Sequence, residues 1–129
     1  MKPREFLDAE YLREDTLRKT ETEKVPACRK ISFETAKQMM DAQPDHLILD
    51  VREEEEYITG HADGAVLFPL DTINAETARA VIPAKNMPVF AYCRSGSRSK
   101  QAVQKLSQLG YTAVYDLGSL VGWPYGMAW

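Results

Sequence analysis

Residues 89–99 read VFAYCRSGSRS, and they contain the strongest signal in the chain for both its fold and its candidate chemistry. It begins as an apolar run of residues that favour β-strands and ends in a small, basic loop that contains Gly96. Apolar residues then recur at helical spacing over positions 102–109, and Gly110 favours a helix end there. The pattern predicts a strand, a loop and a helix, with Cys93 at the end of the strand.

The loop that follows Cys93 has the composition of an anion-binding cradle. A helix N-terminus carries unpaired N–H groups and a partial positive charge, and glycine and serine let a loop curl so that further N–H groups converge. A thiol facing such a cradle ionises more readily than a free thiol, whose pKa is about 8.5. We therefore predict that Cys93 is a nucleophile, with burial as a small apolar strand residue as the alternative. Six residues are predicted to bind an anionic substrate: Arg94, Ser95, Gly96, Ser97, Arg98 and Ser99.

The composition predicts one globular domain and argues against two classes of partner. The chain has 129 residues, which suits a single domain with its own core. Its net charge of −3 and the lack of an 18-residue apolar run argue against nucleic acid or a membrane as a partner. Only two cysteines occur, Cys28 and Cys93, and no signal sequence is visible, so we expect a cytoplasmic location. No zinc-ligand spacing is present, so no metal is expected.

Residues 1–27 differ from the rest of the chain in their dense mixture of charges. Positions 1–19 are compatible with one amphipathic helix, and positions 20–26 resemble a polar linker. A solvated extension and a helix docked on the domain or on a partner are both open, and a homodimer through this extension is one expectation. We therefore divide the chain into an extension over 1–27 and a folded domain over 28–129.

Strand and helix patterns alternate through the folded domain. Strands are predicted at 29–32, 46–51, 65–68, 89–93 and 113–117, and helices at 33–43, 53–59, 75–82 and 99–109. The tail, residues 118–129, is expected to form a turn and a short helix, with Trp123 and Trp129 packed against the domain. This alternation predicts an α/β fold with three layers, in which helices cover both faces of a five-stranded parallel sheet.

Binding sites in parallel sheets form at the carboxyl ends of the strands. Asp50 lies at the carboxyl end of the second predicted strand, one residue before its last position, and Cys93 ends the fourth. A carboxylate beside the thiol would oppose its ionisation, so we expect Asp50 to bind loop N–H groups or an arginine. Arg52 is spaced to form a surface pair with Glu56, and His61 is expected to satisfy backbone groups of its turn.

Three stretches together resemble the signatures of single-domain rhodaneses, which are sulfurtransferases. Residues 49–57 (LDVREEEEY), followed by 60–65 (GHADGA), resemble the first signature of that family. Residues 92–99 (YCRSGSRS) resemble its active-site loop. Residues 118–123 (GSLVGW) resemble its closing signature, with Ser119 where the family usually has a second glycine. The resemblance covers the chain from about Ile31 to the C-terminus and implies a rhodanese-like domain.

The resemblance implies a sulfur-transfer function for the loop. In this interpretation Cys93 accepts a sulfane sulfur from a small anionic donor such as thiosulfate, holds it as a persulfide and passes it to cyanide or a thiol. Residues 94–99 would stabilise the persulfide and hold the departing sulfite, with Asp50 and Arg52 as supporting residues. A cysteine of a partner protein is a further candidate acceptor. No metal and no organic cofactor is implied.

Two other functions are compatible with the same residues. Cysteine phosphatases and arsenate reductases also surround a cysteine with a cradle, and related phosphatases use a Cys-x5-Arg loop. Here Arg98 gives a Cys-x4-Arg loop, and Ser99 stands at the phosphatase arginine position. The shorter loop is expected to suit a single sulfur better than a phosphoryl group. The remaining alternative is a non-catalytic docking module, although inactive members of the family typically lack the cysteine.

Overall fold

A computed structural model describes residues 28–129 of the chain, and the helix and linker predicted over 1–26 lie outside these residues. The strands are β1 (Cys28–Lys30), β2 (Leu47–Asp50), β3 (His61–Ala62), β4 (Val66–Leu67), β5 (Val89–Cys93), β6 (Val114–Ser119) and β7 (Met127–Ala128). The helices are α1 (Phe33–Ala42), α2 (Glu54–Ile58), α3 (Ala75–Val81) and α4 (Ser97–Gln108), with a 3-10 turn at Leu70–Thr72. None of the helices within 28–129 is long and apolar enough to cross a bilayer.

The five strands β1, β6, β5, β2 and β4 lie side by side in that order and are all parallel. The predicted five-stranded parallel sheet is therefore confirmed. Strand β5 lies in the middle of the sheet, with β6 on one side and β2 on the other. Cys93 consequently lies at the centre of the carboxyl edge of the sheet. Tyr92, the residue before Cys93, pairs in register with Asp50 of β2.

Successive residues of β5 are buried on opposite faces of the sheet. Val89, Ala91 and Cys93 belong to the core cluster that includes α3 and α4, whereas Phe90 and Tyr92 belong to the cluster that includes α1. Every residue of β5 is buried, as expected of a central parallel strand. Burial of each large apolar side chain stabilises the fold by about 1.5–3 kcal/mol. The predicted three-layer arrangement is confirmed.

The ends of several elements differ from the predicted ones. Strands β1 and β4 are shorter than the predicted ranges 29–32 and 65–68, and α4 begins at Ser97 rather than Ser99. The start of α1 is as predicted, because the Ser32 side chain accepts a hydrogen bond from the Thr35 N–H (3.1 Å). These differences leave the order of the predicted strands and helices intact.

The carboxyl-terminal tail does not form the predicted helix. Strand β6 continues to Ser119, turns follow, and β7 then pairs antiparallel with β3 in a separate two-stranded sheet. Gly122 and Gly126 have φ of 87° and 104°, and this left-handed backbone interrupts any helix. Trp129 is 82% exposed, so the prediction that it packs is wrong. Trp123 packs edge-on against Phe33, with 5.1 Å between ring centroids.

Candidate active site

Cys93 lies where the central strand β5 turns into α4, and its side chain is fully buried. Its Sγ accepts hydrogen bonds from the N–H of Gly96 (2.9 Å) and the N–H of Ser99 (3.3 Å). Gly96 has φ of 97°, a left-handed conformation that a side chain would strain. This glycine lets the loop double back, so that N–H groups from the loop and from the first turn of α4 face one sulfur atom.

The hydrogen bonds at the sulfur favour the thiolate. Burial raises the pKa of the Cys93 thiol, whereas hydrogen bonds from the N–H and side chain of Ser99 and the N–H groups of Gly96 and Ser95 lower it. The hydrogen bonds prevail, and the pKa of Cys93 lies below its ordinary value. A buried thiol that packs only as a small apolar group would have a raised pKa instead. The surroundings of Cys93 are therefore those of a reactive cysteine.

The first residues of the tail form hydrogen bonds with the backbone of the loop. The Leu120 N–H donates to the Cys93 carbonyl (2.9 Å), and the Ser119 hydroxyl donates to the Arg94 carbonyl (2.6 Å). A β-bulge between β5 and β6 precedes these contacts, at the point where the register shifts between Ala91 and Tyr92. Ser119, which replaces the second glycine of the family signature, thus stabilises the loop through its hydroxyl.

Asp50 forms a buried ion pair with Arg52. Arg52 donates to both oxygens of Asp50 (2.6–3.1 Å) and also to the Gly60 carbonyl (2.7 Å). The Tyr92 hydroxyl donates to Asp50 (2.7 Å) and accepts from the Ala62 N–H (3.0 Å). The expectation that Asp50 pairs with an arginine is confirmed. These bonds tie Tyr92, the residue before Cys93, to β2 and β3.

The predicted surface pair between Arg52 and Glu56 is wrong. Arg52 points into the Asp50 network, and Glu56 instead binds Arg98 across the interface between α2 and α4. Arg98 Nη1 and Nη2 lie 2.7 and 3.0 Å from Glu56 Oε1 and Oε2. Residues 52 and 56 are one helical turn apart in sequence, but Arg52 precedes α2 and does not lie on its surface.

The six predicted binding residues have different surroundings in the structure. Gly96, Ser99 and Ser95 contribute to the hydrogen bonding of the thiol. Ser97 begins α4, and its carbonyl accepts a hydrogen bond from the Gln101 side chain (3.4 Å). The other two residues are arginines, of which Arg98 pairs with Glu56 and Arg94 is exposed without a salt bridge to any residue of 28–129.

Arg94 lines a cleft of about 340 Å³ beside the loop. The other lining residues are Arg52, Leu120, Val121, Gly122, Trp123 and Met127. The cleft therefore brings Arg94, the residue directly after Cys93, and Arg52 together with apolar residues of the tail. The sequence does not indicate that residues 120–123 and 127 meet Arg94, because its pattern predicts a helix in the tail.

His61 has a structural environment. Its Nδ1 lies 2.9 Å from the Tyr57 carbonyl, and its ring stacks on the Tyr57 ring with 3.7 Å between centroids. The Tyr57 hydroxyl in turn donates to the Ala65 carbonyl (2.8 Å). The expectation that His61 satisfies backbone groups is confirmed, and these contacts fix α2 against the strands that follow it.

The fold and the loop define an α/β domain that presents a cysteine in an N–H cradle at the carboxyl edge of its sheet. A family model described as Rhodanese-like domain matches residues 32–124. The chain therefore belongs to the rhodanese-like domain family.

Similar proteins extend this result. Thiosulfate sulfurtransferase PspE of Escherichia coli (strain K12) is 43% identical over 72 residues, which cover 56% of this chain and 68% of PspE. A sulfurtransferase of Allochromatium vinosum is 35% identical over 94 residues, which cover 72% of this chain and 85% of that protein. The putative sulfur carrier protein YrkF of Bacillus subtilis (strain 168) is 33% identical over 96 residues, 74% of this chain, and the match spans only 50% of YrkF.

Solved structures resemble this fold. A rhodanese from E. coli determined with anions has a TM-score of 0.61 and 35% identity, covering 64% of this chain and 96% of that one. The rhodanese-like domain of the Alr3790 protein from Anabaena sp. has a TM-score of 0.67 and 24% identity, covering 77% of each chain. The second likeness shows the fold alone.

Proposed function

We propose that this protein is a rhodanese-type sulfurtransferase that carries sulfane sulfur as a persulfide on Cys93. The observation that carries the proposal is the geometry at Sγ, where the N–H groups of Gly96 and Ser99 converge and lower the pKa of the thiol. The family membership and the relatives named as sulfurtransferases, PspE among them, support the same activity.

The first step loads the sulfur. The Cys93 thiolate attacks the sulfane sulfur of a donor such as thiosulfate, and a new S–S bond forms. The bond between that sulfur and the sulfonate sulfur breaks, and sulfite leaves with the electron pair. The outer sulfur of the persulfide now carries the negative charge. N–H groups that already point at the thiolate can stabilise this charge as an oxyanion hole stabilises an alkoxide.

The second step returns the enzyme to its starting state. An acceptor, either cyanide or a thiolate, attacks the outer sulfur of the persulfide. The S–S bond to Cys93 breaks, and Cys93 leaves as a thiolate that the same N–H groups stabilise. The low pKa of Cys93 favours this step also, because it makes Cys93 a good leaving group.

Arg94 is the residue best placed to attract the anionic donor. Arg94 lines the cleft beside the loop, and its guanidinium group forms no salt bridge with any residue of 28–129. A free guanidinium can bind an oxyanion through two N–H groups. The E. coli rhodanese with a similar structure was determined with anions, which supports anion binding by this protein.

A phosphatase would require an arginine in the loop that binds the phosphoryl group of the substrate. The arginine that ends the loop here, Arg98, is held by both oxygens of Glu56. Its position at Cys-x4-Arg and this engagement favour sulfur over phosphoryl transfer. The docking-module alternative gives no reason for a thiol of lowered pKa in an N–H cradle.

The proposal is tested by mass spectrometry of the protein after treatment with thiosulfate. We expect a gain of one sulfur atom, its loss on addition of cyanide, and neither change in Cys93→Ser. The matched control is Cys28→Ser, which is expected to retain most of the thiosulfate:cyanide transfer. Equal loss in both variants would indicate a dithiol mechanism. Phosphate-ester turnover without any sulfur adduct would favour the phosphatase, and no reaction with any donor would favour the docking module.

A further inference from the structure

The carboxylate of Glu56 binds Arg98, an arginine that the sequence predicts to bind the anionic substrate. Arg98 lies in the first turn of α4, immediately before Ser99, whose N–H binds the Cys93 sulfur. Both terminal nitrogens of Arg98 bind Glu56, at 2.7 and 3.0 Å. The two side chains are only 30% and 24% exposed, so they form a close, partly shielded pair rather than a solvent-separated one.

We propose that Glu56 is a specificity-determining residue, which neutralises Arg98 and thereby weakens the preference of the cradle for divalent anions over the singly charged persulfide. The inference rests on the proposed function, because the singly charged group is the outer sulfur of the Cys93 persulfide. Glu56 acts through Arg98 and is not placed in contact with substrate. The sequence alone does not indicate this role, since residues 53–56 have the composition of a solvated acidic helix start.

The charges around the loop explain the expected selectivity. With Arg98 neutralised, Arg94 is the one arginine of the loop that has no acidic partner among residues 28–129. Coulomb energy scales with the charge of the ligand, so each positive charge near the cradle favours a divalent anion twice as strongly as a monovalent one. Removing one effective positive charge weakens the binding of sulfite and sulfate most. The singly charged persulfide would still be stabilised by the N–H groups of Gly96 and Ser99, which contact Cys93 Sγ in this structure.

Glu56 is held in place independently of Arg98. Its Oε1 accepts a hydrogen bond from the Glu53 N–H (2.9 Å) in a capping box at the start of α2. The next residue, Tyr57, anchors α2 through the Ala65 carbonyl and the His61 ring. The pair with Arg98 keeps the pKa of Glu56 at about 2, so the carboxylate stays charged at any pH suited to an assay. The neutralisation is therefore a fixed property of the loop.

The test measures anion binding without turnover, so it is readable even if the protein transfers no sulfur. In the Cys28→Ser background, sulfate and nitrate are titrated as protectants of Cys93 against alkylation by iodoacetamide, which is uncharged. We expect Glu56→Gln to tighten sulfate protection about tenfold and nitrate protection about threefold, because the released charge of Arg98 acts twice as strongly on sulfate. In steady-state assays the same variant is expected to lower KM for thiosulfate more than it changes kcat.

Three matched variants separate this charge effect from other causes. Glu54→Gln removes the same charge from an exposed position of α2 and is expected to change neither protection constant. Glu56→Asp keeps the charge and is expected to keep the wild-type ratio of sulfate to nitrate affinity. Glu56→Gln combined with Arg98→Gln is expected to return sulfate binding to the wild-type value, because the local charge is again neutral.

The proposal is overturned if Glu56→Gln binds sulfate no more tightly than Glu54→Gln does. It is also overturned if Glu56→Gln weakens protection by both anions, since Glu56 would then act only by holding α4 in place. A double variant that keeps the tight sulfate binding would exclude Arg98 as the source of the charge. The sulfur adduct measured by mass spectrometry decides the proposed function separately from these results.

Discussion

At the scale of single residues, the ionisation of Cys93 depends on opposed effects. Burial raises the pKa of the thiol, and hydrogen bonds, led by those of Ser99, lower it further than burial raises it. Ser99→Ala keeps the backbone N–H but removes the hydroxyl, which lowers the pKa of the thiol and donates to the Gly96 carbonyl (3.2 Å), so we expect the pKa of Cys93 to rise. The measurement is the rate of alkylation against pH in the Cys28→Ser background, with Ser107→Ala, farther along α4, as the control. A midpoint that does not move would show that the N–H groups alone set the pKa.

The sequence predicted the residues around the thiol better than their partners. A local signal identifies Cys93 and Gly96, because a strand, a glycine loop and a helix follow one another within a few residues. Two interactions each join residues that are 42 positions apart. They are the ion pair between Arg98 and Glu56 and the hydrogen bond from the Tyr92 hydroxyl to Asp50. Such pairs depend on how α2 and β2 meet β5 and α4, which no local pattern contains. The error on Arg52 arose in the same way, since its true partner lies inside the fold.

At the scale of elements, the Glu56–Arg98 pair connects α2 to α4, and its contribution to stability depends on pH. Hydrogen bonding to Arg98 lowers the pKa of Glu56 from its ordinary value of 4.5 to about 2 in the folded protein. A lowered folded-state pKa adds stability that is fully present above about pH 4.5 and is lost as the pH falls towards 2. We expect Glu56→Gln to reduce the free energy of unfolding by about 1–2 kcal/mol at pH 7, after allowance for partial solvent screening.

Urea denaturation at a series of pH values checks this expectation. The difference between wild type and Glu56→Gln should shrink as the pH falls from about 4.5 towards 2, because the wild-type carboxylate is then protonated. Glu54→Gln, on the same helix, is expected to differ from wild type by less than about 0.5 kcal/mol at every pH. A difference that stays constant down to pH 2 would mean that the charge of Glu56 does not stabilise the contact between α2 and α4.

The elements that the sequence missed or misassigned are those that lack periodicity. The strands over 46–51 and 89–93 and the helix over 99–109 have strong apolar patterns, and each is present with bounds shifted by two residues or fewer. The two-residue strands β3 and β7 are too short to show a pattern, and their pairing brings together residues more than 60 positions apart. The tail was misassigned as a helix because its aromatic residues suggested packing, whereas its glycines adopt left-handed backbone.

For the folded domain as a unit, residues 28–129 supply the apolar core on both faces of the sheet. One cluster lies between the sheet and helices α3 and α4, and the other lies between the sheet and α1, so both faces of the sheet are covered by described residues. A chain that begins at Val25 is therefore expected to be soluble, to unfold in one cooperative transition and to keep its sulfur-transfer activity. Circular dichroism during thermal unfolding and light scattering, on this chain and the full-length one, provide the measurement. Aggregation of the shorter chain, or loss of a dimer that the full-length chain forms, would contradict this expectation. It would indicate instead that the apolar residues among positions 6–17 are buried against the domain or a second subunit.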